Sequence, residues 1–179
     1  MKALKIIGGL LVAIIALALI SAALISKDYS VEERVTIDRP LDEVYGFAKL
    51  LKNQGQYSKW QLMDPDMEHY YEGVDGTVGF VSGWKSDNPD VGEGEQEIIA
   101  IKDKERIDYE LRFFVPFEAS DKAYLVFKEI TPNQTEVSWG FEGRMEYPMN
   151  LMIPLMGMET MIADDFQVGL QNLKGLLEN

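Results

Sequence analysis

Three patterns of apolar and polar residues follow one another along the chain: an unbroken apolar run, a long stretch of alternation, and a helical stripe. The run, residues 6–26, reads "IIGGLLVAIIALALISAALIS", 21 residues without a charge. As a helix it would extend about 32 Å, enough to cross a hydrocarbon layer of roughly 30 Å. A removable signal peptide usually has an apolar region of only about 7–15 residues, so the length favours a retained anchor. Ser21, Ala22 and Ala23 leave cleavage open. Lys2 and Lys5 precede the run, and only Lys27 follows, beside Asp28. The positive-inside bias then puts the N-terminus in the cytoplasm and the rest outside it, at the periplasmic face of a bacterial inner membrane. The expected division is an anchor over residues 1–27 and one domain over residues 28–179.

"VEERVTID" (31–38) alternates and is rich in β-branched residues, which predicts a strand. In the next segment Pro40 suits a helix start, and Leu41, Val44, Phe47, Leu50 and Leu51 recur near helical spacing. Gly46 and Gly55 predict two short helices with a break between them. From 68 to 143 the period is mostly two, with strands expected at "TVGFVSGW" (77–84), "GEGEQEIIAI" (92–101), "ERIDYELRFF" (105–114), "DKAYLVFKEI" (121–130) and "TEVSWGFEG" (135–143). In the third, Ile107, Tyr109, Leu111 and Phe113 face one way while Arg106, Asp108, Glu110 and Arg112 face the other. One face is therefore buried and one solvated, as in an antiparallel sheet joined by hairpins. The tail, 149–177, is helical again, with Leu155, Ile162, Phe166, Gly169, Leu170, Leu173 and Leu177 on one stripe and Pro154 near its start. A strongly bent sheet with the long helix across its concave face is the economical way to bury these surfaces.

Composition narrows the chemistry. The chain has no cysteine, which excludes disulfides, thiolate catalysis and all-thiolate metal sites. The net charge of -13 is spread along the chain and no basic stripe interrupts it, which argues against nucleic-acid binding. After the apolar run, 15 basic residues stand against 30 acidic ones, so a short linker would hold an acidic domain close to a membrane that repels it.

The features "VTIDRPLDEVYGF", "YSKWQLMDPDMEHYYEGVDGTVGFVSGW", "GEGEQEI", "TEVSWGFEG" and "ADDFQVGLQNLKGLLE" together resemble the SRPBCC superfamily, also called START-like or helix-grip, in its polyketide cyclase/dehydrase and lipid-transport branch. The likeness covers nearly everything after residue 30. It implies an α+β helix-grip fold: a curved antiparallel sheet of about seven strands around a long C-terminal helix, with two short helices after the first strand. It also implies an apolar cavity between sheet and helix.

The aromatic and methionine residues are the strongest candidates for lining such a cavity: Trp60, Phe80, Trp84, Tyr109, Leu111, Phe113, Trp139, Phe141, Met152, Met156, Ile162 and Phe166. Methionine is flexible, and residues 149–161 are dense in it, which suits an adaptable apolar wall. "DPDMEH" spaces carboxylates like the start of a calcium loop, but His69 stands where a glycine is needed and Asp75 replaces the closing Glu. His69, with Asp64, Asp66 and Glu68 nearby, has the makings of a general base, against the plainer reading of an edge-strand residue. Of Asp164 and Asp165, either could face inward. No metal or cofactor is expected. The leading expectation is a membrane-tethered protein that binds a hydrophobic small molecule or lipid without chemistry. A cyclase-type enzyme using His69, Asp64 or Glu95, and a structural or partner-binding domain with a filled interior, are the alternatives.

Overall fold

The computed structural model describes residues 2–179. It begins with helix α1 (Lys2–Leu24), and strand β1 (Asp28–Ile37) follows after three residues. Within α1, Lys5–Leu24 has a mean hydropathy of 2.7 and is long and apolar enough to cross a membrane; a signal sequence would pass the same test. Then come α2 (Leu41–Ala48), a 3-10 turn (Leu51–Gln56) and α3 (Lys59–Met63). Six strands follow: β2 (Glu68–Glu72), β3 (Val81–Lys85), β4 (Glu93–Lys102), β5 (Arg106–Val115), β6 (Ala119–Thr131) and β7 (Gln134–Arg144). A 3-10 turn (Met149–Leu151), α4 (Met152–Leu155) and α5 (Met158–Glu178) complete the chain.

The seven strands form one antiparallel sheet in the order β1-β7-β6-β5-β4-β3-β2. Its concave face carries the apolar half of each alternation: Val35, Val137, Phe127, Leu125, Ile107 and Ile98 are buried there. A register shift in β4 between Ile98 and Ala100 lets both Ile98 and Ile101 turn inward despite their odd spacing. The convex face is charged. Arg112 donates there to Glu95, Glu97 and Glu110 on two neighbouring strands.

α5 runs along β1 across the concave face. At its end, Lys174 Nζ donates to the Thr36 carbonyl at 2.6 Å and the Glu178 carboxylate accepts from the Asp38 N–H at 2.6 Å. The start of α5 therefore lies at the opposite end of the sheet, where α1 joins; we call this the tether end. Gly169 permits the close approach of helix to sheet, since a Cβ there would stand 2.9 Å from the Trp139 ring.

Three boundaries differ from the sequence expectation. β1 starts at Asp28, because backbone pairing with β7 continues to Arg144 whatever the side chains. Residues 77–80 form a turn rather than the first half of β3, since Gly76 and Gly79 take positive φ. The C-terminal helix is broken at Gly157, which has φ 61, so Leu155 leaves the expected stripe and is 69% exposed. The break also places Pro154 inside the short α4 rather than in a long helix.

Candidate functional site

The apolar side chains meet between the concave sheet and the helices α3 and α5. Trp139 of β7 stacks on Phe166 of α5 with centroids 4.7 Å apart. Trp60 of α3 meets both edge-on, at 6.4 Å and 5.7 Å. Tyr57 contacts Trp139 from the other side at 5.8 Å. Trp60 reaches this cluster because α3 is clasped to α5 by an ion pair between Lys59 and the buried Asp165. Asp165 thus serves as a clasp, while Asp164 is exposed.

Of the expected lining residues, Phe80, Tyr109, Trp139, Phe141 and Phe166 are buried in this interior, and Trp60, Leu111 and Ile162 pack half-buried against it. Trp84 and Phe113 meet each other edge-on at 6.1 Å outside that cluster, and Met152 is half-buried in α4 without joining it. Met156 is 58% exposed: it caps α4 at the outer break before Gly157 and points away from the interior. Aromatic side chains pack against one another across this space, and the surface grooves lined by Tyr29, Asp121 and Arg144 and by Gln56, Leu62 and Leu176 do not include them.

The polar groups inside were not foreseen. Among the described residues, Tyr57 Oη, Tyr109 Oη and Gln54 Nε2 are buried without a hydrogen bond of normal geometry within the chain, whereas Tyr45 Oη, unpaired by the same measure, faces Asp103 and the Lys104 backbone. Burial pushes the Tyr109 phenol well above its ordinary value, with the neighbouring Tyr57 adding to the shift. Burial raises Tyr57 likewise; the Gln54 amide lies close enough to oppose this slightly. An orphaned buried hydroxyl costs roughly 1–3 kcal/mol. Native interiors rarely carry several together without a partner for them. Tyr57 lies in an irregular turn without periodicity, so no pattern in the sequence marks it.

A second feature sits at the tether end, where a surface groove of about 530 Å³ is lined by residues that include Tyr29, Asp121, Gly143 and Arg144. Asp121 shares the concave face with Ala123, Leu125 and Phe127, and its Oδ1 accepts from the Arg144 N–H at 3.2 Å. Burial raises its pKa, and that hydrogen bond opposes the rise. Burial together with the Asp121 charge pushes Tyr29 up to about 12. A lone acid at an inward position of an apolar alternation was the available signal for Asp121.

The earlier acid–base candidates are dispersed. His69 is exposed on the edge strand β2, stacked on Tyr71 at 6.1 Å. Asp64 accepts from the Ser86 hydroxyl at 2.5 Å and the Asp66 N–H at 3.2 Å, tying the α3–β2 turn to the end of β3. Glu95 lies on the convex face, bonded to Tyr70 and Arg112. Burial resists its ionisation, but those two donors outweigh it and hold its pKa low.

The sequence matches no family model and no curated protein. Solved structures do match. A protein from Nitrosospira multiformis superposes with a TM-score of 0.60 at 16% identity, over 83% of this chain and 96% of that one. Ara h 8.0201 gives 0.56 at 12% identity, over 84% and 97%. CalU16 from Micromonospora echinospora gives 0.54 at 13% identity, over 84% and 76%. The chain has a helix-grip fold. At these identities the likeness concerns architecture alone.

Proposed function

We propose that this protein is a membrane-tethered binding protein for a hydrophobic small molecule or lipid, held between the concave sheet and α5 without chemistry. The observation that carries the reading is the set of unpaired tyrosine hydroxyls inside an aromatic interior. A purely structural core would be served better by phenylalanine. A binding site, in contrast, needs a few polar anchors in an apolar wall. Binding would bury apolar ligand surface, worth about 25 cal/mol per Å². The span within α1 would keep the site where such ligands partition. Because side chains occupy the interior, uptake requires α3 or the start of α5 to swing outward at the tether end, where Trp60, Leu111, Phe113 and Ile162 are already half-buried.

Native mass spectrometry of the full chain released from detergent micelles tests this. The expected result is a retained apolar adduct that weakens in a Tyr57→Phe, Tyr109→Phe double variant. A chain that carries no adduct after exposure to a total lipid extract overturns it. A second reading, a partner-binding domain with a filled interior, is favoured by the aromatic packing just described together with the exposed apolar side chains between Tyr147 and Met161. Under that reading the double variant gains stability and loses no ligand.

A further inference from the structure

Large apolar side chains are exposed at several places outside α1, Val74 and Val78 of the β2–β3 turn among them, and two of these places lie at one end of the domain and outside the binding site. One is the β5–β6 turn, with Phe114, Val115 and Phe117. The other is the β7–α5 connection, with Tyr147, Met149, Leu155 and Met156. Phe117 is 75% exposed. Side chains of this size are ordinary on a surface when they are scattered; grouped at one end of a domain they mark a contact.

The sheet register puts both groups at the tether end. Asp28 of β1 pairs with Arg144 of β7, and Lys122 of β6 pairs with Glu142. On β5, Arg112 pairs with Ser120, so Asp28, Arg144, Ser120 and Arg112 stand at one level. Val115 and Phe117 lie three residues beyond that level, about 10 Å along the strand direction. That is the height of the junction with α1, which ends at Leu24, three residues before β1. Sideways, the β5–β6 turn is two to three strand positions from β1, roughly 10–15 Å.

The junction itself is built to hold its angle. The side-chain amide of the fully buried Asn150 donates to the carbonyls of Ala22 at 2.7 Å and Ile25 at 3.0 Å. These are carbonyls at the end of α1, where the helix supplies no partner of its own. The Met145 N–H donates to the Lys27 carbonyl at 2.9 Å. The charges at the junction pair with one another: Lys27 with Glu146 at 2.6 Å, Arg144 with Asp28 and Glu146, each at 2.7 Å. The β7–α5 connection is thus fastened to the last turn of α1, and its local charge is neutralised.

We infer that the apolar side chains of the β5–β6 turn and the β7–α5 connection seat in the surface of the bilayer that α1 spans, so that the domain stands on the membrane with its tether end down. The inference rests on the tethered reading above and adds an orientation to it. The occupant is lipid because α1, of whose apolar stretch only 6% is buried against the protein, leaves the domain at this same end. Apolar contact also answers the electrostatics. An acidic domain is repelled by an anionic surface, and inserted apolar side chains hold it there without charge attraction. The half-buried mouth between α3, α5 and the end of β5 then opens toward lipid.

The absence of cysteine makes the test direct. Single variants Phe117→Cys, Leu155→Cys, Asn133→Cys and Leu17→Cys of the full chain are spin-labelled in phosphatidylcholine vesicles. Accessibility to oxygen and to a nickel chelate is then compared. Asn133 lies in the β6–β7 turn, at the far end. The expected result is an oxygen-to-nickel ratio several-fold higher at 117 and 155 than at 133, with 17 higher still. A label at 17 in lipid, with 117 and 155 as aqueous as 133, overturns the orientation and leaves the tether standing. A label at 17 in water overturns the tether and the orientation together. Labels at 117 and 155 shielded from both reagents show that protein, a second copy or a partner, covers this end, and that also refutes the proposal.

Discussion

Replacing Tyr109 by phenylalanine probes the interior most directly. The side chain is fully buried at the centre of the sheet, paired across strands with Ile98 and Ala123. Its ring packs as phenylalanine would; its hydroxyl has no partner in the chain. Removing that hydroxyl takes away a desolvation penalty of about 1–3 kcal/mol and leaves only a small gap. Phenylalanine should therefore stabilise the ligand-free protein by up to that amount. For a chain of this size each kcal/mol moves Tm by about 2–4 °C. Urea denaturation in detergent, followed by tryptophan fluorescence, reads this, since Trp139 reports on the same interior. The same residue predicts a pH effect. As pH rises through the ordinary tyrosine value of 10.0, unfolded chains release phenolic protons that the native fold retains on Tyr57 and Tyr109. The unfolded state then binds fewer protons, so stability falls with pH from that point upward. In Tyr109→Phe the alkaline loss should be shallower. A Tyr109→Phe variant that is less stable than the parent would refute the reasoning, because it would mean that the hydroxyl is already satisfied.

Three further outcomes are expected. Gly169→Ala drives a Cβ to 2.9 Å from the Trp139 ring and should lower stability by about 1–3 kcal/mol, measured by the same denaturation. Asn150→Ala leaves the Ala22 and Ile25 carbonyls without their donor and should speed hydrogen exchange where α1 meets β1, at a cost of about 1–3 kcal/mol. Asp121→Asn keeps the acceptor for the Arg144 N–H but removes a buried charge. Because the carboxyl's folded pKa is raised, its penalty grows as pH rises through and above the ordinary carboxylate range; the variant should gain Tm at pH 7 and match the parent at acid pH.

The legibility of this chain follows the range of the forces involved. Alternation along β5 was readable because one strand face is buried as a unit, so Ile107, Tyr109, Leu111 and Phe113 announce their side without knowledge of any neighbour. The same holds for the apolar stretch of α1 and for most of the stripe on α5. The break at Gly157 was not readable, because a glycine between two helical patterns fits either a continuous or an interrupted helix until the connection from β7 is placed. Asn150 was invisible for a stronger reason: its partners, Ala22 and Ile25, are backbone carbonyls more than a hundred residues away, and backbone has no sequence signature. Tyr57 and Gln54 sit in a 3-10 turn and its cap, where no periodicity separates inside from outside.

The candidate site divides along the same line. Its aromatic side chains come mostly from periodic elements, while its unpaired polar groups come from an irregular turn and from Tyr109, whose place in the alternation of β5 marks its ring but not the fate of its hydroxyl. Chemistry that depends on an unpaired atom becomes visible only when every donor and acceptor is accounted for in three dimensions. In this protein the Tyr57 and Tyr109 hydroxyls, buried without a hydrogen bond of normal geometry, are a standing cost to the closed interior, and under the proposed function a ligand that satisfied them would offset part of the work of opening it.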